Sequence, residues 1–162
     1  MSEYGSQAPP AGSPSSPTGL GGEAAYSGPA AGPRSGFWRR FAAAFVDGLL
    51  LSILYWVLLT VLSTGAAYAI YLVGYYAYFT LLEGGPTGQT VGKRALGIRV
   101  IDFGAGGPIG YGRGFIRNIA KLLSGLVFGL GYFWMLWDKE KQTWHDKIAN
   151  TVVVPADAYP VR

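Results

Sequence analysis

Apolar positions gather into one long run, Phe41 to Leu82, and a shorter interrupted one, Leu122 to Trp137. The long run holds a single charge, Asp47, with Arg39 and Arg40 just before it and Glu83 closing it. A helix rises ~1.5 Å per residue, so a straight helix here would run about 60 Å, roughly twice the hydrocarbon thickness of a bilayer. The run must therefore fold back. Its only cluster of small and polar residues is Ser63-Thr64-Gly65-Ala66. The pattern predicts a transmembrane hairpin of two helices, Ala42–Leu62 and Ala66–Leu82.

The shorter run is approached through Arg113, Arg117 and Lys121, a basic stripe recurring every four residues between Phe115, Ile116, Ile119, Leu122 and Leu123. This spacing predicts an amphipathic helix starting near Arg113 and lying at the membrane interface before entering the bilayer. Gly125 and Gly129 form a GxxxG pair, which permits close helix contact. Lys139, Lys141 and Lys147 follow the run, so both of its flanks are basic. That symmetry favours a bent or re-entrant element broken near Gly129-Leu130-Gly131; a straight third span is the alternative. Gly97–Asp102 alternates like a strand, and Asn150–Val154 is a second strand-like run ended by Pro155. If the two share a side of the membrane they can pair. The expected fold class is an all-α membrane protein: a transmembrane hairpin, a third bent or re-entrant hydrophobic helix, and a small cytoplasmic two-stranded β element.

Composition agrees with this division. Half the residues are hydrophobic and 14% are charged, against about 25% in a typical soluble domain. Residues 1–35 draw 20 of their 35 positions from Gly, Pro and Ser, too little apolar surface to offset the entropy of ordering. A disordered tail is expected, with Tyr4, Tyr26 and the Pro14–Pro17 PxxP pattern as its few features. The remainder divides into a membrane domain, 36–154, and a short C-terminal tail, 155–162. No apolar leader region precedes residue 36, so the first hydrophobic helix would serve as both signal and anchor. Gly36-Phe37-Trp38-Arg39-Arg40 reads as an interface anchor. Lys and Arg flank the hairpin while its turn is uncharged, so the positive-inside rule predicts a multi-pass inner-membrane protein with a cytoplasmic N-terminus. This charge placement does not suit nucleic acid, and no nucleic-acid partner is expected.

Chemistry-bearing residues are few. Cys is absent and His145 is the one histidine, so neither a thiolate nor a multi-histidine metal site is expected, and no cofactor. Asp47 is the most informative position, because a carboxylate inside a membrane helix costs at least ~2.5 kcal/mol. It either fixes helix packing, neutralised by Arg40 seven residues earlier, or ligates an ion, proton or solute in a bundle cavity. Tyr68, Tyr71, Tyr75 and Tyr78 form one helical stripe. They serve aromatic packing or present hydroxyls towards Asp47. Gly85–Arg94 superficially resembles a phosphate loop, but Thr87 stands where the first glycine is needed and Arg94 where Ser or Thr is. His145 lies beside Asp146 with no evident nucleophile partner, so an enzyme is not expected. The pair is either a structural clasp or a charge site coupled to Arg40 or Arg113.

Several stretches together resemble the RDD family of bacterial membrane proteins: Trp38-Arg39-Arg40-Phe41 through Asp47, Gly88 through Asp102, Arg117, and Gln142 through Val153. The resemblance spans about residues 37–154. The family is named for an arginine opening the first helix and two aspartates, one within that helix. By resemblance these are Arg40, with Arg39 as alternative, Asp47 and Asp146. The resemblance implies a bilayer-embedded protein and suggests transport, with some members linked to sodium/proton exchange. The expected function is therefore transport of an ion or small solute at Asp47. The charge network would comprise Arg40, Asp146, His145 and Arg117, with Tyr71 and Tyr75 alongside, and a homo-oligomer would enclose the pathway. The competing reading is a non-transporting scaffold whose buried charges hold helices together and whose tail recruits partners.

Overall fold

The computed structural model describes residues 32–127 and 129–159. The expected N-terminal tail lies outside these residues up to position 31, with Tyr4, Tyr26 and Pro14–Pro17 in it. Helix α1 spans Phe37–Val61 and α2 spans Thr64–Gly84. Leu62 and Ser63 between them are extended, which reverses the chain where the small, polar cluster predicts it. α1 begins earlier than expected, because the Phe37–Arg40 anchor forms its first turn rather than a lead-in. Tyr55 of α1 meets Tyr71 of α2 at 5.1 Å between ring centroids, which packs the hairpin. Both helices are long and apolar enough to cross a membrane.

After α2 the chain doubles back. Helix α3 (Val91–Ala95) leads into strand β1 (Ile98–Asp102). Helix α4 (Gly110–Leu126) follows, then α5 (Leu130–Phe133) with a 3-10 turn, Trp134–Leu136. Helix α6 (Trp144–Ile148) and strand β2 (Thr151–Pro155) complete the fold. The axis turns by 110° between Gly110–Leu126 and Leu130–Leu136. Gly129 sits at the corner with φ +74°, a left-handed backbone open to glycine without strain. β2 pairs antiparallel with β1, Asp102 opposite Thr151 and Ile98 opposite Pro155. The chain thus returns to the strand it left before α4, as the two strand-like runs suggest.

Alternation along the strands divides the sheet. Ile98, Val100 and Val153 pack with Ala43 of α1 and Ile109. Ile101, Val152 and Val154 pack with Phe103 and Tyr159 on the other face. The segment before α1 joins this cap: the Ser35 amide donates to the Val153 carbonyl at 2.9 Å, and Arg34 pairs with Glu140. Residues 34 and 35 therefore pack with the fold.

Helix α4 is oriented opposite to the interface expectation. Its buried side carries Gly114, Arg117, Asn118, Ala120 and Ser124. Its exposed side carries Phe115, Ile116, Ile119, Leu122 and Leu123. The basic stripe turns inward because carboxylates await it there, while the apolar stripe faces outward like the leucines of α1. The close approach expected at Gly125 and Gly129 falls elsewhere. A Cβ on Gly125 meets nothing within 4 Å, whereas one on Gly114 would meet the Thr80 carbonyl at 3.0 Å and Gly84 at 3.1 Å. α2 and α4 cross at this pair of glycines.

Gly92 makes a comparable approach of α3 to α1. A Cβ there would strike the Ala43 carbonyl and lie 2.9 Å from the Asp47 carboxyl carbon. Gly92→Ala is expected to destabilise the detergent-solubilised protein by about 1–3 kcal/mol through overpacking. Gly65→Ala, in open space near the start of α2, is expected to be neutral or to stabilise by up to about 1 kcal/mol. Denaturant unfolding of both variants checks the contrast.

Candidate functional site

Two polar centres lie at one end of the hairpin. The first is built on Asp47, which is 0% exposed. The residues after Thr90 start helix α3, and a helix start leaves backbone amides without partners. Asp47 takes one of them: its Oδ1 accepts from the Gly92 amide at 2.7 Å. The Tyr78 hydroxyl accepts from the Val91 amide at 3.0 Å and donates to Asp47 Oδ1 at 2.7 Å. Thr90 is the helix cap, its Oγ1 accepting from Lys93 N while donating to Asp47 Oδ2 at 2.6 Å. Three side chains from α1, α2 and the loop thus satisfy the first turn of α3, and Asp47 receives three donors in return. The carboxylate also lies at the positive end of a short helix, where an anion is favoured.

The second centre is a chain of ion pairs. Arg117 of α4 lies between two buried carboxylates. Its Nε stands 3.0 Å from Glu83 Oε2, an ion-pair distance without hydrogen-bond alignment, and its Nη1 stands 2.7 Å from Asp146 Oδ1. Glu83 Oε1 also meets Lys93 Nζ at 2.7 Å and Lys121 Nζ at 2.9 Å. Lys121 Nζ lies 4.0 Å from the centre of the Phe79 ring, a cation–π position. Arg40 Nη1 reaches Asp146 Oδ2 at 2.5 Å, and its Nη2 donates to the Lys141 carbonyl at 2.9 Å. Asp146 additionally accepts from the Thr143 amide in a capping box that starts α6. Burial alone would raise the Asp146 carboxyl, but Arg117 and Arg40 hold it well below the usual carboxylate range.

Arg40 therefore turns towards Asp146 and not Asp47. Arg39 is exposed, which separates the two arginines. Arg113 pairs with Asp102 and donates to the Ala149 and Asn150 carbonyls, away from Asp146. His145 is 4% exposed, and its Nδ1 lies 3.1 Å from Ser124 Oγ. Burial pushes its imidazole down to about 3 against the opposing pull of Asp146, so it is neutral at physiological pH. Tyr71 and Tyr75 make tilted ring contacts with each other, Tyr71 also with Tyr55 and Tyr75 also with Phe79. Tyr78 alone of the tyrosine stripe is bonded to Asp47, and Tyr68 is exposed. Among the described residues, no group of three or more His, Asp or Glu could hold a metal ion.

Sequence reasoning missed Glu83, Lys93, Lys121 and Thr90. Glu83 had a signal: it is the one acid closing the second helix, and basic residues recur every four positions along α4. Thr90 had another, as a capping residue just before a short helix.

Leucine, isoleucine and aromatic side chains on the exposed faces of α1, α2 and α4, with ionised groups inside, define a membrane protein. The sequence model of the RDD family matches residues 34–150, and the chain belongs to that family. It is 31% identical over 147 residues to "Uncharacterized protein YxaI" of Bacillus subtilis (strain 168), covering 74% of this chain and 96% of that protein. It is 36% identical over 85 residues to the "Proline-rich antigen" of Mycobacterium leprae (strain TN) and to its homolog in Mycobacterium tuberculosis (strain ATCC 25618 / H37Rv). Those matches cover 52% of this chain and about a third of the mycobacterial proteins, 32% and 34%. No solved structure matches the chain significantly.

Removing Asp146 would leave Arg40 and Arg117 facing each other without their shared anion. Asp146→Ala is expected to cost about 3–5 kcal/mol, the loss typical of a broken buried pair. Lys147→Ala breaks only the half-exposed pair with Asp138 and is expected to cost less than about 1 kcal/mol. Denaturant titration in detergent measures both.

His145 predicts a pH dependence of stability. Its folded value lies below its unfolded value of 6.5, so the unfolded chain binds the extra proton. The contribution of His145 to stability is expected to be flat above pH 6.5 and to fall between 6.5 and about 3. The slope should correspond to uptake of one proton on unfolding. His145→Gln should flatten the upper part of that window in pH-dependent unfolding curves.

Proposed function

We propose that the protein is a multi-pass inner-membrane scaffold or accessory protein that does not itself conduct ions. Its cap and N-terminus lie on the cytoplasmic side, in keeping with basic flanks and an uncharged hairpin turn. α4 and α5 form a re-entrant element that enters the bilayer and returns. The inverted face of α4, its 110° break and the pairing of β2 with β1 support this. The buried charges act as staples that hold cap, hairpin and re-entrant element in one arrangement. The observation that carries the reading is the closure of three donors around Asp47. A conducting carboxylate must release and rebind its ligand, whereas this one is committed to the first turn of α3. On this reading no oligomer is needed to enclose a pathway. The fixed cap is a platform from which the N-terminal tail recruits partners.

Transport is the second reading, and one observation favours it: Asp47 lines a cavity together with Lys93, Arg117 and Lys121. Flux of sodium and protons in proteoliposomes containing the full chain separates the two. The scaffold reading expects flux indistinguishable from protein-free vesicles. Flux that disappears in a folded Asp47→Asn variant would overturn it.

A further inference from the structure

The same end of the hairpin holds a cavity of about 470 Å³, within the range of sites that enclose small ligands. Arg40, Lys93, Arg117 and Lys121 contribute to its wall. The carboxylates at the site are Asp47 in the wall, held by hydrogen bonds, and Glu83 and Asp146 behind it, which pair with the cations. His145 also lines the cavity and is neutral. Four cations thus face three carboxylates, an excess of one positive charge in a buried site. The Nε of Arg40 is buried without a hydrogen-bond partner. An uncompensated buried charge is costly, and the site calls for one more negative charge.

The rest of the wall is apolar and aromatic, with Phe37, Leu51, Phe79 and Phe133. This wall leads outward. Phe41, Ala44 and Gly48 line both the cavity and an adjoining groove on α1, which continues along Phe45, Leu49 and Ser52. Phe41, Phe45 and Leu49 are 55%, 65% and 54% exposed on the face that meets lipid. A charged chamber therefore opens sideways into an apolar track on a membrane helix.

We propose that this chamber binds an anionic phospholipid from the surrounding leaflet. Its phosphate diester sits among Arg40, Lys93, Arg117 and Lys121, and one acyl chain lies in the groove beside Gly48. A phosphate diester carries a single negative charge, which matches the excess of one. Arg and Lys donors suit its oxygens, and basic recesses between membrane helices hold anionic headgroups. The inference goes beyond the scaffold reading and does not depend on it: a conducting protein could carry the same lipid.

Native mass spectrometry of the full chain released from mixed phosphatidylglycerol and phosphatidylcholine nanodiscs with identical acyl chains tests the proposal. One phosphatidylglycerol should remain bound, retained at least about tenfold over phosphatidylcholine. Gly48→Leu narrows the groove without touching the cations, and a Cβ there meets nothing within 4 Å, so the variant should fold. It should reduce retention about tenfold without lowering the unfolding midpoint. Lys121→Gln removes one cation and should weaken the preference for phosphatidylglycerol. Equal retention of both lipids, retention unaffected by Gly48→Leu, or displacement of the lipid by millimolar inorganic phosphate would each overturn the proposal. The last result would point to a free anion as the occupant.

Discussion

Arg117 is held between Glu83 at the end of the second membrane helix and Asp146 in the short helix before the last strand. These carboxylates stand 63 residues apart in the chain (146 minus 83) and belong to elements that otherwise share little apolar surface. Most of the apolar side chains here face outward, so a conventional hydrophobic core is confined to the small sheet and its neighbours. The hydrophobic effect holds the hairpin in the bilayer but gives helices within it little reason to associate. Directed, charge-assisted contacts carry that task. Each ion was taken out of water at a cost, and the arrangement persists because Glu83 and Asp146 each have cations beside them.

Asp47 solves a related problem with hydrogen bonds rather than countercharge. The loop after α2 must return to the first helix, and it does so by starting a five-residue helix whose free amides need acceptors. Asp47, Tyr78 and Thr90 provide them. The approach is tight enough that only glycine fits at position 92. The carboxylate, the glycine and the threonine are one device, and each explains why the others are there.

The hairpin was legible in the sequence because length against bilayer thickness leaves little choice, and the turn follows from the one polar cluster in the run. The strand pair was legible from alternation and from a Pro155 stop. The interior was harder to read. The 3.6-residue period of α4 shows that Arg113, Arg117 and Lys121 share a face, but not where that face points. A basic stripe can meet headgroups or buried acids, and Glu83 is too distant in sequence for spacing to link it with Lys121. For the same reason the seven-residue spacing of Arg40 and Asp47 suggested a pair, whereas Arg40 reaches the Asp146 of a remote helix. Contacts made between elements, rather than within them, were the part that local pattern did not carry.

If the charged staples hold the fold together, their energies must be coupled. A double-mutant cycle of Arg117→Gln and Glu83→Gln, read by denaturant unfolding in detergent, measures that coupling most directly. The account predicts an interaction energy above about 1 kcal/mol, the single losses not summing to the double loss. Additivity within about 0.5 kcal/mol would contradict it, because the two residues would then stabilise the protein independently.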